Sequence, residues 1–127
     1  MARTIRAIYV EDEPSVRDVM VRLLELGGIN VTSSYRSGED LLQDRDTIAY
    51  AEADVFIFDV RLPGMTGLEL AARLREDGDP RPVVAVSAWP QPDQEDLTRA
   101  DIEFVRKPFL FGELEEVIRR VVDQDRD

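Results

Sequence analysis

Val55-Phe56-Ile57-Phe58-Asp59 decides how this chain is read: four consecutive apolar residues end on a carboxylate. Such a run suits a strand buried on both faces of a parallel sheet. Working outward, other short apolar runs follow the same plan. Ile5–Val10 ends at Glu11-Asp12-Glu13, and Val83–Val86 ends at Ser87. Ile102–Val105 leads into Lys107-Pro108. Val31–Tyr35 is more polar and reads as a strand near an edge.

Amphipathic stretches separate the strands. Pro14 stands where a first helical turn tolerates it. Val16, Val19, Met20, Leu23 and Leu24 then recur on one helical face, and Gly27-Gly28 stops the helix. Val21 lies opposite that stripe and is expected to be exposed. Ser37 to Asp40 has capping-box spacing and opens a second helix, but Asp44–Ala53 is too irregular to show its end. Gly67–Asp77 reads as a third helix and Asp93–Ala100 as a short fourth. The last helix aligns Phe111, Leu114, Val117, Ile118, Val121 and Val122, and the polar tail 123–127 is expected to fray.

The order βαβαβαβαβα predicts a doubly wound α/β fold: a parallel sheet covered by helices on both faces. Sites in such sheets form beyond the carboxyl ends of the strands. Glu11, Asp12, Asp59, Ser87 and Lys107 all fall there.

Composition narrows the chemistry. The 127 residues fit one domain, placed at 1–122 with 123–127 as a tail or linker start. There is no Cys and no His, which excludes disulfides, thiolate or imidazole metal sites and Ser–His catalysis. A net charge of −11 argues against direct nucleic-acid binding. No window approaches the ~18 apolar residues of a membrane span. The apolar run after Met1–Arg6 is too short for a signal peptide. A soluble, cytoplasmic chain is expected. The 16 bases are 15 Arg and one Lys, Lys107.

Three crowded carboxylates raise one another's pKa and call for a cation. An oxygen-only site suits Mg²⁺. With an ammonium and a hydroxyl added, the set is equipped for phosphoryl transfer, and a carboxylate can be the nucleophile. Asp59, ending the most apolar strand, is the best candidate. Taken singly, each residue has a plainer reading: the acidic triplet as a helix cap, Asp59 as a strand end, Lys107 as a solvated charge, Phe104 as core. Their joint placement at one sheet edge favours the site.

With these residues in place, the chain resembles the response-regulator receiver domains of two-component signalling. The matching stretches are Val10 to Pro14, Phe58 to Gly67, Val84 to Ala88 and Phe104 to Phe109, in order along nearly the whole chain. The resemblance implies a flavodoxin-like (βα)5 fold with strand order 2-1-3-4-5. It makes Asp59 the phosphoacceptor and a metal ligand. Glu11, Asp12 and the Arg61 carbonyl become Mg²⁺ ligands, Asp12 more directly than Glu11. Ser87 becomes the switch hydroxyl, Lys107 the phosphoryl partner and Phe104 the aromatic switch. Lys107–Pro108 is implied to be cis. Arg61, Trp89 and Pro108 would flank the site, with Arg61 and Trp89 placed to shield an acyl phosphate from water.

The implied partners are a histidine kinase or histidine phosphotransfer protein and an output partner or domain. The kinase would dock partly through the first helix, where Val21 is a candidate contact. The implied chemistry is the domain's own phosphotransfer and autodephosphorylation, not that of a conventional enzyme. Three departures stand out: Glu11 replaces a common Asp, the Ser87–Lys107 segment is about two residues short, and no Gly-Ala precedes the last strand. The fourth helix is therefore expected to be short or displaced, and dimerisation through that face is in doubt. Two rival classes are a pseudo-receiver that never carries phosphate and an aspartyl phosphohydrolase, for which the chain lacks a cap and a general acid. The chain reads either as a whole single-domain regulator or as the receiver of a longer one.

Overall fold

The computed structural model describes residues 4–88 and 92–126. Along the chain lie β1 (Ile5–Val10), α1 (Pro14–Leu26), β2 (Ile29–Tyr35), α2 (Gly38–Gln43), α3 (Ile48–Glu52) and β3 (Val55–Asp59). They are followed by α4 (Gly67–Glu76), β4 (Val83–Ser87), α5 (Gln94–Ala100), β5 (Ile102–Arg106) and α6 (Phe111–Arg126). The five strands pair in parallel in the order β2-β1-β3-β4-β5. Fold class and strand order are those expected from the sequence.

The apolar runs become central strands because both of their faces are covered. Tyr9, Ile57, Val84 and Val86 pack with Met20 and Leu24 of α1 and Leu114 and Ile118 of α6. Phe56, Phe58 and Ala85 pack on the other face with Leu41 of α2, Leu70 and Leu74 of α4, and Leu97 of α5. Every residue of β3 and β4 is buried. Their carboxyl ends are thus held by packing on both sides. At the sheet edge, β2 has only its first residue buried, in line with its polar sequence.

Four local expectations need correction. The segment after Ser37 forms two short helices, not one. Thr47 caps the second, its side chain accepting from Tyr50 N, and that break explains the lost periodicity of 44–53. The Ser37 box is half formed. Its hydroxyl accepts from Asp40 N at 3.1 Å, while the Asp40 carboxylate turns back to Arg36. The reciprocal box is at Thr66 and Glu69, opening α4. The stretch read as a tail from residue 123 is helical as far as Arg126, where α6 ends.

Finally, Val21 is half-buried against the α1–α6 core, whereas Val19 is 56% exposed. The helix is rotated relative to the simple stripe. Val21 joins the same cluster as Val31 of β2, while Val19 is left on the rim.

Candidate functional site

Four of the five strand ends deliver a group. Among the described residues the buried polar or charged side chains are Glu11, Asp59 and Ser87, closing β1, β3 and β4. Lys107 follows β5 and is half-buried. Its Nζ lies 3.2 Å from Asp59 Oδ2 and 3.5 Å from Glu11 Oε1. One ammonium therefore bridges carboxylates from two adjacent strands. The backbone holds this arrangement. Lys107 N donates to Ser87 O at 2.9 Å, Val60 N donates to Val86 O at 3.0 Å, and Arg61 N donates to Asp59 Oδ1 at 2.8 Å.

Asp59 has a second constraint behind it. Gly67 opens α4 so close to β3 that a Cβ on it would fall 2.2 Å from the Asp59 carbonyl oxygen. Only glycine permits that approach. Gly67 N in turn donates to Val60 O at 3.0 Å, tying the loop of 60–66 into a closed turn. Gly67 ends one of the matching stretches, but nothing in the sequence alone assigns it this task.

The acidic triplet does not serve as a helix cap. Glu13 occupies the N-cap of α1 and makes no side-chain capping bond. The Glu11 main chain is tied on both sides instead: its N donates to Tyr35 O at 2.9 Å, and its O accepts from Arg17 Nη1 at 2.7 Å. Arg17 is a contact that sequence reasoning missed.

Electrostatics sets Glu11 apart. Burial raises its carboxyl from the ordinary 4.5 to about 7; the Asp59 charge and bonding to Asp59 and Asp12 push the same way, and Lys107 offsets only part. The excess negative potential reaches the core. The Tyr9 phenol is raised by burial first and then by the charges of Glu11 and Asp59.

Among the described residues no three carboxylates converge as a metal cage. Glu11 and Asp59 converge on the Lys107 ammonium, and Asp12 stands exposed beside them. The donor chemistry nevertheless fits a hard divalent cation. It is oxygen-only, it is under-neutralised at Glu11, and its exposed carboxylate leaves room for waters.

The remaining candidates fall around this centre. Lys107–Pro108 is cis, as the resemblance implies. The Arg61 side chain is exposed beside Asp59, and Phe104 is half-buried against the α4–α5 core. Trp89 lies outside the described residues.

The fold and the strand-end cluster define a class of doubly wound α/β domain with a polar site at the carboxyl edge of its sheet. The sequence profile of the response regulator receiver domain matches residues 7–119. This chain belongs to that family.

Among similar proteins, the "Uncharacterized transcriptional regulatory protein YkoG" of Bacillus subtilis is 35% identical over 90% of this chain and 48% of its own length. A protein-glutamate methylesterase/protein-glutamine glutaminase of Haloarcula marismortui is 30% identical over 98% of this chain and 33% of its own. The chain thus spans half or less of these relatives. Of solved structures, a LuxR-family DNA-binding response regulator from Staphylococcus aureus superposes with a TM-score of 0.81 at 29% identity, covering 93% of this chain and 98% of that one. The chemotaxis protein CheY4 of Vibrio cholerae, at 22% identity and TM-score 0.78, covers 94% and 99% and shares the fold. No helix among the described residues is long and apolar enough to cross a membrane.

Proposed function

We propose that Asp59 accepts a phosphoryl group from a phosphohistidine of a partner protein in a Mg²⁺-dependent reaction, and that the acyl phosphate switches the surface of the domain. The observation that carries this reading is Lys107 Nζ, 3.2 Å from Asp59 Oδ2 and 3.5 Å from Glu11 Oε1 at the mouth of a buried carboxylate pair. An Asp59 oxygen bonds to phosphorus as the phosphorus–nitrogen bond of the donor breaks, and that electron pair returns to the imidazole. Lys107 then pairs with a phosphoryl oxygen. Glu11, Asp12, Asp59 and the Arg61 carbonyl would hold Mg²⁺, which neutralises charge on the transferring group. Ser87, buried at the end of β4, supplies a hydroxyl toward the phosphoryl group. Phe104 on the neighbouring strand responds by moving inward, altering the face formed by α5, β5 and α6. Arg61 flanks the acyl phosphate and limits its hydrolysis.

The chain has no His, so the donor must bring it. A largely apolar groove of about 710 Å³ lies beside Lys107, walled by Val16, Val19, Met20 and Leu23 of α1 and by Pro108 and Phe109. It suits an apolar helix face carrying the phosphohistidine. A charge placed in this wall, Val19→Asp, is expected to slow transfer from the partner roughly tenfold, the effect of ~1.4 kcal/mol. Labelling by acetyl phosphate should stay unchanged in the same variant.

The central test is acetyl phosphate with and without Mg²⁺, read by intact mass. One phosphoryl adduct is expected with Mg²⁺, lost in EDTA and in Asp59→Asn. No adduct on the unaltered chain, or equal labelling of Asp59→Asn, rejects the reading.

A further inference from the structure

The three acids of the site do not stand on equal supports. Asp59 is buried at the end of β3 and backed by Gly67. Glu11 and Asp12 sit where β1 has ended and α1 has not begun, in an irregular stretch of 11–13. The side chain of Glu13 contributes no cap there. What holds this stretch is chiefly the Glu11 main chain, with N bonded to Tyr35 O on β2 and O bonded to Arg17 Nη1, beside a longer 3.4 Å bond from Glu13 N to Glu11 Oε2.

We infer that Arg17 is a positioning residue for the acidic pair: by holding the Glu11 carbonyl it sets the direction of Glu11 and the placement of Asp12 for a divalent cation. The reason is peptide geometry. The atoms from the Glu11 Cα through its C and O to the Asp12 N and Cα lie in one plane. Fixing that oxygen at 2.7 Å, with the Glu11 N already fixed at 2.9 Å, orients the plane and the Glu11 Cα–Cβ bond, and places the Asp12 Cα from which its carboxylate departs. Arg17 is suited to the task because it is itself anchored. Its own N donates to Glu13 O at 2.9 Å in the first turn of α1, and its side chain is half-buried. A charged donor to a carbonyl is also stronger than a neutral one.

Arg17 has a second effect of opposite sign. Its charge reaches the core behind the site, where it lowers the otherwise raised Tyr9 phenol. A cation this near repels a divalent ion. If charge were its only contribution, removing it would tighten Mg²⁺ binding. If it positions the pair, removing it weakens binding. The sign of the change separates the two.

This inference rests on the proposed Mg²⁺ site, and calorimetric titration of MgCl₂ into the whole chain tests both. The unaltered chain must bind; absence of binding rejects the metal reading itself, and the inference with it. Given binding, Arg17→Met is expected to weaken Mg²⁺ affinity roughly tenfold, in the range seen when groups behind metal ligands are removed. Acetyl phosphate labelling should then need more Mg²⁺ but approach the same ceiling. Arg22→Met removes an exposed charge from the same helix and is expected to leave affinity unchanged or slightly tighter. Should Arg17→Met fail to fold, Arg17→Lys keeps the charge but loses the planar fork, and about twofold to threefold weaker binding is expected. Unchanged or tighter Mg²⁺ binding in the folded Arg17 variant overturns the inference while leaving the phosphoacceptor reading intact.

Discussion

Glu11 carries the clearest pH dependence in the molecule. Its carboxyl is raised in the folded chain to about 7, mainly by burial and then by the Asp59 charge. Between the ordinary carboxyl value and about 7, the folded state holds a proton that the unfolded state has released. Stability should therefore fall as pH rises through that window, since the slope follows the difference in bound protons. A tenfold difference in proton affinity between the two states corresponds to ~1.4 kcal/mol. Chemical denaturation in EDTA across this range should show the decline, and Glu11→Gln should flatten it. A flat profile in the unaltered chain would mean Glu11 titrates normally.

Gly67 makes a second prediction at the same scale. In Gly67→Ala the added carbon meets backbone, not a flexible side chain, so the overlap with the Asp59 carbonyl cannot be relieved locally. A loss of about 1–3 kcal/mol is expected, the usual range for overpacking. Because the displaced atoms belong to Asp59, acetyl phosphate labelling should fall as well. Labelling at the normal rate in a folded Gly67→Ala chain would show that α4 can retreat without moving the carboxylate.

Among the elements, α5 has a small share in the core, with Leu97 as its one buried residue. Its C-terminal end is clamped. Arg75 of α4 donates to Ala100 O at 2.9 Å and Asp101 O at 3.0 Å, and also to Asp79 O and Arg81 O. Asp101 closes the helix with φ 55, a left-handed conformation that glycine adopts more readily. This is where the sequence lacks Gly-Ala, and the Arg75 bonds lie at the same corner. Arg75→Met should loosen α5 selectively, because bonds from a charged donor are worth ~1.5–3 kcal/mol. Hydrogen exchange of 94–101 is expected to accelerate roughly tenfold or more, with β1 and β3 unaffected. Uniform acceleration would indicate a global loss of stability instead.

The short helix α3 is secured in a related way. Arg81 pairs with Asp79 at 2.6 Å, stacks over Tyr50 and Phe56, and donates to Tyr50 O and Ala53 O. The irregular 44–53 sequence gives no warning of this, since the organising residue lies beyond β3.

For the molecule as a whole, the governing quantity is a net charge of −11. Among the described residues the ion pairs of Arg6, Arg36, Arg73 and Arg120 are exposed, and exposed pairs contribute little each. Self-repulsion of the excess acids is then the larger electrostatic effect on the compact state. Raising NaCl in EDTA should raise the melting temperature as this repulsion is screened. A lower melting temperature would show that the surface pairs matter more than the net charge.

The sequence by itself determined the alternation of strands and helices, apart from the split into α2 and α3, the parallel sheet and the polar residues at its carboxyl edge. Periodicity and chain breakers are local properties, and a strand buried on both faces has only one direction in which to present its end. Lone Lys107 was legible for the same reason: no Arg stands in its place at the edge where a compact ammonium meets Asp59. Tertiary structure alone decided which side of α1 is covered, leaving Val19 exposed and Val21 packed. It also decided that Glu11 is the raised carboxyl, because desolvation depends on neighbours from β3 and the segment after β5. Above all it placed the arginines. Arg17 on Glu11 O, Arg75 on the end of α5 and Arg119 on Gly27 O each hold a backbone carbonyl. Every residue offers the same carbonyl, so such a partner leaves no mark in the sequence and emerges only when the chain is folded.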